Sequence, residues 1–384
     1  MIYYAHYRHV LIDSNIMDVV DMSKIRVCFD RIKQLKLYIS CGIILLFVLV
    51  QRNISSRGDT HRDEPLKWRR DEDPNKHILV TGAAGFIGHY VVMKLKRYQV
   101  KVIGIDNFND YYNVSLKYLR SNISGVVLHL DVCDSTGVSN LINAHTITHV
   151  IHMAAQAGVR YSLSHPQAYV RSNLECFVQL LEVIKLRNIK LIYASSSSVY
   201  GENTEVPFSE SHRVDQPVSL YAATKRENEL MAHVYWHLYK LHSVGLRFFT
   251  VYGPMGRPDM AYFSFVKNID ERKQIQVYNY GKLSRDFTYI DDIVDGVVNC
   301  IDVQFDCEIL NLGRGQPQNL MTFIETIERF MGKKAILNFV DMAKGDVLTT
   351  YADISKAQRA IEYNPQVSLK EGIQKFVNWY KSAK

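Results

Sequence analysis

Residues 77–98 read HILVTGAAGFIGHYVVMKLKRY. An apolar run, Ile78–Val80, ends in Thr81-Gly82-Ala83-Ala84-Gly85-Phe86-Ile87-Gly88, and a helical pattern follows at once. Glycines at such a junction let the backbone turn sharply and approach a pyrophosphate, whose charge then rests on the helix N-terminus. The spacing is G-x-x-G-x-x-G rather than the G-x-G-x-x-G of the commonest dinucleotide loop, and a glycine turn alone signals only a turn. Context decides the reading. Asp106 lies 24 residues past Gly82, at the end of the next apolar run. An acid there bonds the adenosine ribose hydroxyls and repels a 2′-phosphate, which predicts NAD rather than NADP.

Outward from this loop the pattern alternates. Apolar runs at 102–105, 126–130, 150–154 and 191–194, and then Val244–Val251, are separated by helix-length segments, one of which starts near Leu220. Such alternation predicts an α/β fold with a doubly wound parallel sheet of Rossmann type. We place this NAD-binding domain at 76–255, with parts of it returning after 255. Shorter elements follow, which predicts a smaller C-terminal α+β substrate lobe over most of 256–384, closed by an amphipathic helix Leu369–Lys381. The 384 residues are 47% apolar and 22% charged, which excludes wholesale disorder. The net charge of +7 is spread along the chain, so nothing points to a nucleic-acid partner. The six cysteines form no CxxC and no Cys/His cluster, so we expect core thiols and no metal.

The first 75 residues differ. Leu37–Val50 (LYISCGIILLFVLV) holds 14 residues without a charge, short of the ~20 of a usual span. Lys36 and Arg52 flank it with stems long enough to snorkel. No small-residue cleavage site follows. We read a single membrane anchor over 37–51, a tail over 1–36 and a polar stem over 52–75. Five basic residues stand between 22 and 36 against three in the fifteen residues after Val50, which puts the tail in the cytosol and the rest in a lumen. Asn113-Val114-Ser115 and Asn122-Ile123-Ser124 are glycosylation sequons available to a lumenal chain.

Tyr221 and Lys225 form Y-x-x-x-K behind Pro217 and Ser219, so both side chains share one helix face. An ammonium beside a phenol favours the phenolate, which would suit Tyr221 as general base toward a substrate hydroxyl. With 24 tyrosines in the chain, the pair alone is weak. Ser195-Ser196-Ser197-Ser198-Val199-Tyr200-Gly201 ends the fifth apolar run, where ligands bind in this architecture.

These three segments together resemble the extended short-chain dehydrogenase/reductase superfamily, in its nucleotide-sugar branch. The stretch Leu246–Asp292, with LRFFTVYGPMGRPDM and VYNYGKLSRDFTYIDD, closely resembles UDP-glucuronate 4-epimerases, and the match covers about 77–381. The resemblance implies a catalytic set of Ser196, Tyr221 and Lys225. It places Gly82, Gly85, Phe86, Ile87, Gly88, Asp106, Asp131, Ala154, Ala155, Asn173, Tyr221 and Lys225 against NAD, with Asp131 at the adenine. On the substrate side it places Ser198 and Thr250 at the sugar, Arg257 near its carboxylate, Arg285 at the diphosphate and Asp346 near the uridine. Lys344 replaces the family's usual proline beside Asp346. The implied reaction interconverts UDP-glucuronate and UDP-galacturonate through a 4-keto intermediate and non-stereospecific re-reduction with bound NAD. A homodimer and a Golgi-anchored, type II topology are also implied.

Plainer readings stand beside these. Arg257 could be a surface charge paired with Asp259, and Arg285 a partner of Asp291 or Asp292. Related enzymes keep other reactions open: UDP-glucose 4-epimerase, UDP-glucuronate decarboxylase and, remotely, a non-catalytic NAD-binding scaffold. Ser197 and Ser198 supply no acid–base pair for a dehydratase and no glutamate as in UDP-xylose synthases. A neutral hydroxymethyl group does not call for the cation of Arg257.

Overall fold

The computed structural model describes residues 76–343 and 345–383, so the tail, anchor and stem read from the sequence lie outside the described residues. Among the described residues no helix is long and apolar enough to cross a membrane.

Six strands follow in order: β1 (His77–Thr81), β2 (Lys101–Asp106), β3 (Val127–His129), β4 (His149–His152), β5 (Lys190–Ser196) and β6 (Ser243–Phe248). They form a parallel sheet ordered β6-β5-β4-β1-β2-β3, and a seventh strand, Cys307–Leu312, adds beyond β6. That strand returns to the sheet from well past residue 255. The order reverses between β1 and β4, which opens a crevice over their C-terminal ends. Ile78, Leu79 and Val80 are wholly buried, as a strand covered on both faces requires. On one face Leu79, Val150 and Leu191 pack with Val138, Leu141, Phe177 and Leu181. Each such side chain contributes about 1.5–3 kcal/mol by leaving water.

Two expectations need correction. The run Val244–Val251 is not one strand. It breaks after Phe248, and Thr250–Tyr252 pairs instead with Phe287–Tyr289. The backbone changes partners there: Phe249 N–H donates to Leu312 O at 3.1 Å, and Thr250 N–H to Asp286 O at 3.1 Å. The step aims Thr250 into the crevice. The cysteines are also not all thiols. Cys133, just after β3, is disulfide-bonded to Cys176 at the start of helix Cys176–Ile184, with Cα atoms 4.4 Å apart. Cys300 and Cys307 are free.

The smaller lobe packs helices Ala261–Asp270, Leu320–Met331 and Leu369–Ser382 through aromatic contacts, among them Phe287 stacked on Phe323 at 4.2 Å. Buried Asp286 holds its loops together by accepting from the N–H groups of Arg314, Gly315 and Ala352.

Candidate active site

A cavity of about 760 Å³ runs over the C-terminal strand ends and into the smaller lobe. Its first wall is the glycine loop. Gly82 sits at φ +66, and a Cβ on it would lie 2.7 Å from Ala154 N. A Cβ on Gly88 would collide with Gly82 O. The loop therefore crosses itself where only glycine fits, and Gly85 N–H closes it onto Gly82 O at 2.9 Å. Helix Phe86–Arg97 starts there with Gly85 as its N-cap and no side-chain cap. Its first N–H groups are left for an anion. Phe86 and Ile87 line the cavity with the glycines.

Asp106 ends β2 and is buried, accepting from Ala84 N–H at 3.1 Å and Phe108 N–H at 2.8 Å. The Lys117 ammonium stands 3.5 Å away. Asp131, Ala154 and Ala155 line the same end. This glycine cradle with a buried acid 24 residues on fits a dinucleotide. Asn173 does not line the cavity. It is buried one layer behind, where its amide donates to Gln156 O and Thr224 Oγ1, both at 3.0 Å, and braces the wall.

The chemical centre comes next. Ser219 caps helix Leu220–Tyr239 by accepting from Ala222 N–H at 3.1 Å, which puts Tyr221 in the first turn and Lys225 one turn later. The buried Lys225 ammonium donates to Ala194 O of β5 at 2.8 Å. The Ser196 hydroxyl donates to Ser198 Oγ at 3.2 Å and lines the cavity beside Tyr221. Two turns along, buried Glu229 accepts from Ser195 Oγ at 2.7 Å and from Arg247 at 2.8 Å twice.

Burial pushes the Tyr221 phenol above its ordinary value, and what pulls it down is the Ser196 hydrogen bond and the Arg257 charge. Burial lowers Lys225 itself to about 8, with Glu229 opposing.

At the sugar end Ser198, Thr250 and Arg257 line the cavity with Tyr221. Arg257 is also paired with Asp259: Nε donates to Oδ1 at 3.1 Å and NH2 to Oδ2 at 2.6 Å. The pair lies in the cavity wall, so the ion pair and the site location both hold. Arg285 is half-buried and donates to Ser284 O and Leu348 O at 2.9 and 3.0 Å. Asp292 accepts instead from the N–H groups of Gln366 and Val367. Asp346 meets Arg160 at 3.1 Å, and the Arg160 guanidinium lies 4.2 Å over the Tyr278 ring. Arg160, Lys117 and Tyr111 line this cavity without any motif to announce them; only the folded chain brings them in.

Known proteins resemble this chain in sequence and fold. The profile of the NAD dependent epimerase/dehydratase family matches residues 78–313. An uncharacterised protein of Methanocaldococcus jannaschii is 52% identical over 313 residues, covering 79% of this chain and 96% of its own. UDP-glucuronate 4-epimerase 3 of Arabidopsis thaliana is 47% identical over 326 residues, 79% of this chain and 76% of its own. The crystal structure of UDP-glucuronic acid 4-epimerase from Bacillus cereus in complex with UDP-glucuronic acid and NAD superposes with a TM-score of 0.76 at 36% identity, over 80% of this chain and 100% of that one.

The strained Lys225 makes a prediction about stability. Its value falls from 10.5 unfolded to about 8 folded, so the unfolded chain holds the proton more tightly. Stability should rise with pH between those values, and the cost is fully present below pH 8. Lys225→Met should therefore stabilise the ligand-free protein at pH 7 by ~1–3 kcal/mol, while activity is lost. Urea midpoints for both proteins at pH 7 and pH 10 measure this. The gap should shrink at the higher pH; a less stable variant at pH 7 would contradict the assignment.

Proposed function

The chain belongs to the NAD dependent epimerase/dehydratase family, and we infer that it interconverts UDP-glucuronate and UDP-galacturonate. The observation that carries this reading is Arg257, placed with Ser198 and Thr250 in the cavity that holds Tyr221 and Ser196. The loop Gly82–Gly88 would hold the dinucleotide, Asp106 would bond its ribose and Asp131 would stand at its adenine. Asp106 excludes a 2′-phosphate by charge, which is the basis for NAD over NADP. The chemistry bound NAD supplies is acceptance and return of a hydride at C4 of the sugar.

The protein's own groups do the rest. Ser196 holds the C4 oxygen, and Tyr221 takes its proton as the hydride leaves. Lys225, fixed on Ala194 O, keeps a positive charge below the phenol. Arg285 and Asp346 hold the nucleotide while the 4-keto sugar turns its other face. Tyr221 then gives the proton back. Oxidising C4 of a glucuronate makes a β-keto acid, which sheds CO₂ when the carboxylate C–C bond aligns with the carbonyl π system. Arg257, Thr250 and Ser198 pin the carboxylate away from that alignment. Ser198 offers no carboxyl group to promote decarboxylation, and Ser197 none to promote dehydration. Ser196, Tyr221 and Lys225 stand together in the cavity wall, which argues against a non-catalytic scaffold. A second reading, UDP-glucose 4-epimerase, draws on one observation: Asp259 already neutralises Arg257.

We further propose that the apolar run 37–51 anchors the protein in the Golgi membrane as a single-pass type II protein with its catalytic unit in the lumen. The Cys133–Cys176 disulfide suits an oxidising compartment, and both Asn113 and Asn122 are exposed. A second copy would cover Leu230, Val234 and Leu238, which stand exposed at four-residue spacing on one helix. Val234→Glu should then give monomers in sedimentation, and an unchanged profile would exclude this face.

Two experiments test the reading. With UDP-glucuronate, the wild-type protein should yield UDP-galacturonate with little CO₂. Arg257→Ala should weaken binding and raise UDP-pentose and CO₂ about tenfold or more, since a charge-assisted hydrogen bond is worth ~1.5–3 kcal/mol. Tyr221→Phe should give neither product. Wild-type product ratios in Arg257→Ala would reduce that residue to a surface charge. Separately, protease added to sealed vesicles should spare the catalytic unit until detergent is added; digestion without detergent would place it in the cytosol.

A further inference from the structure

We propose that Asp259, held by Tyr111, is the resident counter-ion of Arg257 and that the substrate carboxylate displaces it, so the C6 end of the site selects uronates by ion exchange. The inference rests on the reading that the substrate is a UDP-uronate.

The geometry is that of a built carboxylate site with its occupant supplied by the protein. Asp259 takes the Nε/NH2 edge of the guanidinium with both oxygens, at 3.1 and 2.6 Å. Tyr111 O–H donates to Oδ2 at 3.0 Å, a third bond to the same carboxylate. The Arg257 backbone N–H donates to the Tyr262 hydroxyl oxygen at 3.1 Å, and its guanidinium lies 5.7 Å over the Tyr111 ring. Asp259 has 28% of its side chain exposed against 20% for Arg257. It stands just before helix Ala261–Asp270, where its carboxylate can turn to water.

Charge counting then forces a choice on any ligand. Arg257 and Asp259 together sum to zero. A uronate entering beside the intact pair would leave a net negative charge in a half-buried cleft. If Asp259 turns out instead, one carboxylate replaces another, and the arginine keeps its bidentate bonds. Although burial alone would raise the Asp259 carboxyl, the Arg257 charge and its hydrogen bonds hold it below its ordinary value, so the occupant is an anion at neutral pH. A neutral hydroxymethyl group has no charge to offer and leaves the pair closed. The exchange thus lowers net affinity for the uronate while keeping the site matched to a carboxylate. An acid that merely aimed Arg257 would predict the opposite sign on removal.

Calorimetry on the NAD-loaded full-length protein decides between the two. Asp259→Asn should bind UDP-glucuronate about tenfold more tightly, since one charge-assisted interaction no longer has to be given up. UDP-glucose affinity should change less than about twofold. Turnover should fall, because UDP-galacturonate leaves more slowly. Tyr111→Phe should shift binding in the same direction by less, and it provides a second route if the first variant folds poorly. Unchanged or weaker UDP-glucuronate binding in these variants would overturn the proposal. A wild-type protein that binds UDP-glucose but not UDP-glucuronate would instead overturn the uronate reading, and this inference with it.

Discussion

A lysine ammonium buried against a backbone carbonyl fixes the geometry on which the chemistry depends. Lys225 reaches from helix Leu220–Tyr239 to Ala194 O at the end of β5. The contact sets the rotation of the helix, and Tyr221, one turn before, is thereby held against Ser196 of the same strand. Burying the charge is costly, and burial lowers Lys225 to about 8. Glu229 lies on the same helix face and opposes the fall, but it is itself shared with Ser195 and Arg247. The centre is therefore strained, and the strain is held by the packing of helix on sheet.

Around this centre two ends do different electrostatic work. The cofactor end uses backbone: glycines at 82, 85 and 88 leave no side chain between the helix N-terminus and an anion, and Asp106 supplies the only carboxylate carried on β2 to that wall. The sugar end uses side chains. Arg257 lines the cavity and its charge lowers the Tyr221 phenol. On the proposed reading the same guanidinium would also meet the substrate carboxylate, which would link ionising the base to retaining CO₂.

What was legible in the sequence was local. The loop 81–88 and its flanking strand and helix span one continuous segment, so their periods and glycines show in the chain. Tyr221 and Lys225 needed only helical spacing to be placed on one face. Long-range juxtapositions left no such mark. Cys133 and Cys176 are 43 residues apart, Arg160 and Asp346 are 186 apart, and Tyr111 and Asp259 are 148 apart. Arg257 also pulls the Tyr221 phenol down across space, a contribution that no local spacing announces. The run 244–251 read as one strand because apolar composition does not reveal a change of pairing partner after Phe248. Asn173 matched a family position, yet its amide is spent on Gln156 and Thr224 behind the wall.

The central claim is that one hydrogen leaves C4 and returns to it inside a closed site, with Tyr221 handling only the hydroxyl proton. Converting UDP-glucuronate deuterated at C4 in ordinary water, and reading the product by mass spectrometry and NMR, tests this most directly. The account predicts UDP-galacturonate that keeps its deuterium at C4. Product with solvent hydrogen at C4 would contradict it.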